Sequence, residues 1–525
     1  GQRRYPRWEL ANADLQRLLA AGVGGVILLG GSAAELRLRT RQLRAWAGAD
    51  LLLCADVEEG VGQRFEGASW LVPPLALGRL HRADAAAAEA LAERYGRCTG
   101  REARALGLNW VLGPVCDVNN NPANPVINVR AWGEDPATAG TLACAFLRGV
   151  QEERVLGCAK HFPGHGDTAT DSHLALPVLP HSRERLDAVE LPPFRAAIAA
   201  GVDAVMTAHL LLPALDPERP ATLSAAVLGD LLRGELGFQG LVVTDALVME
   251  AIAARYGGGE AAVLALEAGA DLVLMPADAD AALDAIVAAV RSGRLQEGRL
   301  EESLARRRRA LASLPPPTAE ADPAAPLGVL SNGPAAEDLE LAELLLNDSL
   351  KRQGPRRLIA AAGTGPCGVN LVRVDSALSS PILAPLAPAL ALPEAEGFRT
   401  RVLEGRSPSP WSGDPEQPLA LERLGEGPVL LQLFVRGNPF RASAGSAEPW
   451  PQVLRQLQQA GRLAGLAVLG SPYLWETLRP LLGEGIAAAY SPGQMPQAQR
   501  LLLESLGFGR PGGDGPGATG GDFTD

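Results

Sequence analysis

Lysine is almost absent from this chain: Lys160 and Lys351 are its only two, and the other 46 of its 48 basic residues are arginine. No cysteine pair has the C-x-x-C spacing of a zinc ribbon or redox motif. The six cysteines (Cys54, Cys98, Cys116, Cys144, Cys158, Cys367) are scattered, several in apolar runs, and read as buried free thiols suited to a reducing compartment. No apolar stretch reaches the ~20 residues of a membrane-spanning helix. The opening GQRRYPRWEL is no signal peptide and lacks Met, so it reads as a shortened start. Long basic blocks are missing too. Acids outnumber bases to give a net charge of −12, which makes a poor nucleic-acid binder. The one dense positive run, Arg306–Arg309, reads as a solvated helix face.

What the chain has in quantity is apolar side chain, 47% of 525 residues, enough to exclude disorder of the whole and to bury large cores. Seven short apolar runs punctuate its first 280 residues: Gly25–Leu29, Leu51–Ala55, Asn109–Leu112, Val155–Ala159, Ala204–Ala208, Leu241–Thr244 and Leu272–Met275. Helical segments such as Ala85–Leu106 and Asp278–Val290 lie between or after them. Continuous apolar strands alternating with helices predict a parallel sheet covered on both faces. Seven units over this length predict a (β/α)8 TIM-type barrel, its eighth strand expected before residue 1. The barrel is expected over 1–312. Five prolines mark 313–327 as a linker. Apolar runs at Leu358–Ala362, Val369–Val374, Val429–Phe434, Leu466–Leu469 and Ile486–Ala489 predict a smaller α/β sandwich domain over 328–507. That region holds no histidine, which argues against chemistry there. Residues 508–525 read as a Gly-rich disordered tail.

The C-terminal ends of the barrel runs carry Asp56, Asp117, Lys160, His161, His209 and Asp245. Catalytic groups of such barrels come from this rim. Five of the six histidines fall between His161 and His209, and one of the two lysines stands directly before them. The segment Lys160–His173, KHFPGHGDTATDSH, leaves a strand and turns through Pro163-Gly164 into a small-polar loop. In it Asp171 and His173 are one residue apart. A carboxylate on one imidazole nitrogen orients the ring and supports its cation, which suits general acid/base work, though such pairs are also common in polar loops. Metal ligation by His161, His165 and His173 is disfavoured by Pro163 and Gly164, which break the helix that i, i+4 ligands need. Asp245 could attack an anomeric carbon, or could simply cap a helix starting at Ala246.

The string K-H-F-P-G-H-G-x-x-x-x-D-S-H resembles the signature of family 3 glycoside hydrolases of the β-N-acetylhexosaminidase branch, and Lys160–His173 departs from it at no defining position. Asp56–Arg64 (DVEEGVGQR) is similar to the family's D-x-E-G-G-x-V-x-R, with Glu59 in place of the usual Gly and Gly62 in place of the usual Val. Asn124–Pro136, Pro220–Ser224 and Thr244–Met249 extend the likeness in the family's order.

The resemblance implies a retaining exo-β-N-acetylglucosaminidase acting on small glycans such as peptidoglycan fragments. Asp245 would be the nucleophile, His173 the acid/base and Asp171 its orienting partner. Asp56, Arg64, Arg130, Lys160 and His161 would contact the terminal sugar. It implies no metal or organic cofactor and no membrane partner, and with the free thiols it points to the cytoplasm. Four alternatives stand beside it: a β-N-acetylglucosaminide phosphorylase, because a His acid/base spares an incoming phosphate a second anionic carboxylate; a β-glucosidase; a metal-dependent barrel hydrolase using His161, His165 and His173; and a non-catalytic sugar-binding barrel.

Overall fold

A computed structural model of the chain describes residues 9–168, 176–315, 334–355, 368–374, 381–404, 410–436 and 448–509. Asp171, His173, Cys367, the run Leu358–Ala362, and nearly all of the expected linker and tail lie outside these. The chain forms two compact units, residues 1–349 with 436–447, and residues 350–435 with 448–525.

In the first unit the strands are parallel and their order in space follows their order in sequence. β1 (Gly25–Ile27) pairs with β2 (Leu52–Ala55), and β2 with β3 (Trp110–Val111). Single bridges from Trp110 to Leu156 and from Val115 to Lys160 carry the sheet to β4 (Cys158–Phe162). β4 pairs with β5 (Ala204–Thr207), and β5 with β6 (Leu241–Val243). This is the expected TIM-type barrel. Its seventh run, Leu272–Met275, enters only through a bridge from Val243 to Leu272. Met275 turns to a positive φ of 45° and Pro276 has no N–H to donate, so the ladder stops there. Among the described residues no ladder bond joins this run to β1, and the two border a cavity of about 1310 Å³.

Alternate strand residues face one side. Leu52, Cys54, Trp110, Leu112, Leu156, Cys158, Ala204, Met206, Leu241 and Val243 accordingly pack into one buried cluster. The other face is covered by helices. α1 (Ala85–Ala105) begins where Asp84 accepts from the Ala87 N–H, and α2 (Pro136–Glu152) where Asp135 accepts from the Thr138 N–H. The two helices touch through glycine. A Cβ on Gly149 would stand 2.1 Å from the Glu93 carbonyl oxygen and 2.6 Å from the Arg97 nitrogen, both backbone atoms. Gly149→Ala must therefore push the helices apart, and we expect it to lower stability by about 2 kcal/mol or more in denaturant titration. A loss under about 0.5 kcal/mol would mean the helices are not so closely held.

After β6 the chain turns before α3 (Glu250–Tyr256), whose N-cap is Met249. Asp245 is thus four residues too early to cap it. In α4 (Glu297–Ala312) the arginine run is not simply a solvated face. Arg306 turns inward to pair with buried Asp271, and Arg307 donates to the Gly24 and Asp50 carbonyls. α5 (Ala336–Ser349), which a boundary at 328 would assign to the second domain, groups with the first unit.

The second unit is built on one six-stranded sheet. Its strands are β7 (Lys351–Gln353), β8 (Gly368–Val374), β9 (Phe398–Glu404), β10 (Val429–Val435), β11 (Leu463–Gly470) and β12 (Ala487–Ser491), in the spatial order β9-β8-β10-β11-β12-β7. All pairs are parallel except β12 with β7. The edge strands β7 and β9 are the two that the apolar runs do not announce. β9 (FRTRVLE) is mostly exposed or half-buried, as an edge permits. Among the described residues the five cysteines are buried and free, and no helix is long and apolar enough to cross a membrane.

Candidate active site

The polar groups gather at the C-terminal ends of the barrel strands. Asp56 and Glu58 follow β2, and Lys160 and His161 lie in β4, the lysine almost wholly buried. Lys160 Nζ lies 2.7 Å from Asp56 Oδ1 and 2.6 Å from Glu58 Oε1. Arg130 meets Glu58 as a fork, Nε to Oε2 and NH2 to Oε1, both at 2.8 Å. Burial raises the cost of charge on Glu58, but Arg130 and Lys160 outweigh it and hold the carboxyl well below its ordinary range. Burial likewise opposes the Lys160 cation, yet Asp56 and Glu58 keep its pKa raised. Glu58 is therefore an ionised bridge between two cations.

Beside this bridge Asp117, fully buried after β3, organises the next pair. Its Oδ2 is 2.7 Å from His161 Nδ1, and its Oδ1 accepts from the His165 N–H at 2.7 Å. The partnership fixes the imidazole of His161 and leaves Nε2 facing Arg130 at 3.5 Å. His165 Nδ1 is held by Thr168 Oγ1 at 2.8 Å, and burial brings its pKa down to about 4, so this ring is neutral at pH 7. With each Nδ1 so engaged, His161 and His165 belong to no metal-ligand group among the described residues.

Asn124 ties two segments together. Its Oδ1 accepts from the Val126 and Ile127 N–H groups, and its Nδ2 donates to the His165 and Gly166 carbonyls. The turn carrying Arg130 is thereby pinned to the chain that follows β4. Arg64 donates from Nε to the Asp56 carbonyl at 3.1 Å. Both unusual residues of that loop have a place. The carboxylate of Glu59 accepts from Trp70 Nε1 at 3.0 Å and pairs with Arg436. At Gly62 a Cβ would stand 2.3 Å from the Ala68 carbonyl oxygen, so valine does not fit this path of the backbone.

Asp245 follows β6, half-buried, with Oδ1 accepting from the Ala246 N–H at 2.7 Å. Buried His209 Nε2 lies 3.1 Å from the Ala246 carbonyl oxygen, and its Nδ1 is 2.8 Å from Thr222 Oγ1. The peptide after Asp245 is thus gripped from β5. Asp245 is close enough to His165 and Cys158 to act on both electrostatically.

Of the residues expected at the site, Asp56, Arg130, Lys160 and His161 form one connected polar wall with Arg64 at its edge, and Asp245 stands at the end of β6. Asp171 and His173 are outside the described residues. Glu58 was not anticipated. Asp117 and His209 were recognised at strand ends without a role.

Residues 2–310 match the model of the glycosyl hydrolase family 3 N-terminal domain, more than half of the chain. The chain belongs to glycosyl hydrolase family 3. Residues 363–507 of the hydrolase match the bacterial family 3 C-terminal domain. The chain is similar to the β-hexosaminidase of Stenotrophomonas maltophilia strain K279a, 40% identical over 285 residues that span 53% of this chain and 84% of that protein. A β-hexosaminidase of Neisseria meningitidis serogroup C is 37% identical over 273 residues, 51% of this chain and 75% of that one. Among solved structures, a family 3 β-N-acetylglucosaminidase from Paenibacillus sp. str. FPU-7 superposes with a TM-score of 0.75 at 33% identity, covering 95% of this chain and 94% of that chain. These relatives place the hydrolase in the β-N-acetylhexosaminidase branch.

Proposed function

We propose that this hydrolase is a retaining exo-β-N-acetylglucosaminidase that removes terminal β-linked N-acetylglucosamine from small glycans, peptidoglycan fragments among them. The observation that carries the reading is the preorganised wall of Asp56, Glu58, Arg130, Lys160 and His161 on the rim that also carries Asp245. Paired charges held in fixed positions hydrogen-bond sugar hydroxyls without reorganising, which suits recognition of one terminal residue. In this reading Asp245 attacks the anomeric carbon while protonated His173, oriented by Asp171, gives its proton to the departing oxygen. The glycosyl–Asp245 ester then yields to water, whose proton returns to His173. Two inversions leave the configuration retained. Names of the relatives support the sugar, and the Asp–His pair of the signature supports the acid/base.

Proton NMR of the sugar as it is released tests this reading: the β-anomer should appear first, and initial α-anomer would overturn retention. The acid/base has its own signature. His173→Ala should depress hydrolysis of substrates with poor leaving groups far more than that of activated aryl glycosides, which need no protonation. Equal losses on both would make His173 merely structural. A second reading, transfer to phosphate, is favoured by an acid/base that carries no negative charge when deprotonated. Accumulation of a sugar 1-phosphate when inorganic phosphate is added would establish it.

A further inference from the structure

Away from this rim, α1 and α5 meet over a buried cluster that the chemistry above does not use. Cys98 and Glu102 are four residues apart on α1 and so project from one face. Asp338 reaches them from the first turn of α5. All three are buried, and one ligand atom of each lies within 4.8 Å of the others. Arg101 pairs with Asp338 Oδ1, but Asp338 Oδ2 is buried with no hydrogen-bond partner. An orphaned carboxylate oxygen in such a place is rare in folded proteins.

We propose that Cys98, Glu102 and Asp338 bind one divalent cation of the zinc class, clasping α1 to α5. A donor set of one thiolate and two carboxylate oxygens suits Zn²⁺ and is too soft for Mg²⁺ or Ca²⁺. The outer groups have the form that orients ligands. Ser69 donates to Glu102 from its N–H at 3.0 Å and its hydroxyl at 2.8 Å, and Arg101 fixes Asp338. In the metal-free protein burial pushes the Glu102 carboxyl up to about 7 and the Cys98 thiol higher, so each holds its proton at neutral pH or near it. Binding exchanges them for the cation: Zn²⁺ enters as the thiol and the Glu102 carboxyl each release a proton to solvent.

The site has a structural reach beyond the two helices. The Ser69 carbonyl accepts from the Gly62 N–H at 2.7 Å, and Leu71 N–H donates to the Glu59 carbonyl at 2.8 Å. Holding Glu102 therefore steadies the loop that carries Glu58 and Arg64, without touching substrate.

Cobalt chloride titrated into the tag-free, chelator-dialysed full chain tests the proposal, because cobalt bound to thiolate absorbs in the near ultraviolet. We expect one equivalent to bind with that band, zinc chloride to displace it, and zinc to raise the melting temperature. Cys98→Ser should abolish the band, and Asp338→Asn should weaken binding at least tenfold. Should Cys98→Ser fail to fold, the wild-type titration and Asp338→Asn still decide. No thiolate band in the wild type, a band that survives Cys98→Ser, or affinity untouched by Asp338→Asn would each overturn the site.

Discussion

Asp245→Ala should reduce glycoside turnover by on the order of 10⁴-fold or more while leaving the protein folded, because it removes the atom that forms the covalent bond in the proposed mechanism. The structural cost is small for identifiable reasons. Asp245 caps no helix, since α3 starts at Glu250 with Met249 as its N-cap. The substitution gives up the bond from the Ala246 N–H, worth about 1 kcal/mol. His209 still approaches the Ala246 carbonyl, which keeps the backbone after β6 in place. Steady-state kinetics beside a thermal melt make the comparison. Near-normal activity in the folded variant would remove Asp245 from the mechanism.

Glu58→Gln is expected to have the largest effect on stability. Glutamine keeps the volume but takes away the charge that bridges Arg130 and Lys160, both of which are largely buried. Arg130 loses one half of its fork and the charge it paired with, whereas Lys160 keeps Asp56. Leaving a buried cation without its partner costs roughly 3–5 kcal/mol. Since the same two cations form the proposed sugar wall, substrate binding should weaken together with stability. Denaturant titration and KM measured on the same preparation check both. A stability loss under about 1 kcal/mol with KM unchanged would mean that Glu58 is not the ionised bridge described above.

The parts of this site that could be read along the chain are those announced by local contrast. Continuous apolar runs ending in Asp56, Lys160-His161 and Asp245 mark strand ends because apolar side chains give way there abruptly to charged ones. Glu58 escaped because its role is a contact with Arg130, 72 residues away. Asp117 was placed at the correct rim, but its grip on two histidines more than 40 residues later is a tertiary fact. Arg306 and Arg307 show the same limit from the other side. A run of four arginines in a polar helix suggests solvent until Asp271 and two backbone carbonyls are brought beneath it. The second sheet was legible at its centre, where β8, β10, β11 and β12 are buried throughout, and illegible at its polar edges β7 and β9.

The proposed specificity for N-acetylglucosamine rests on this rim. Its most direct measurement is release of 4-nitrophenol from the N-acetyl-β-D-glucosaminide and from the matching β-glucoside, each with and without phosphate. Release should be faster from the N-acetyl sugar, without any need for phosphate. Preference for the glucoside, or no release of either by the folded protein, would contradict it.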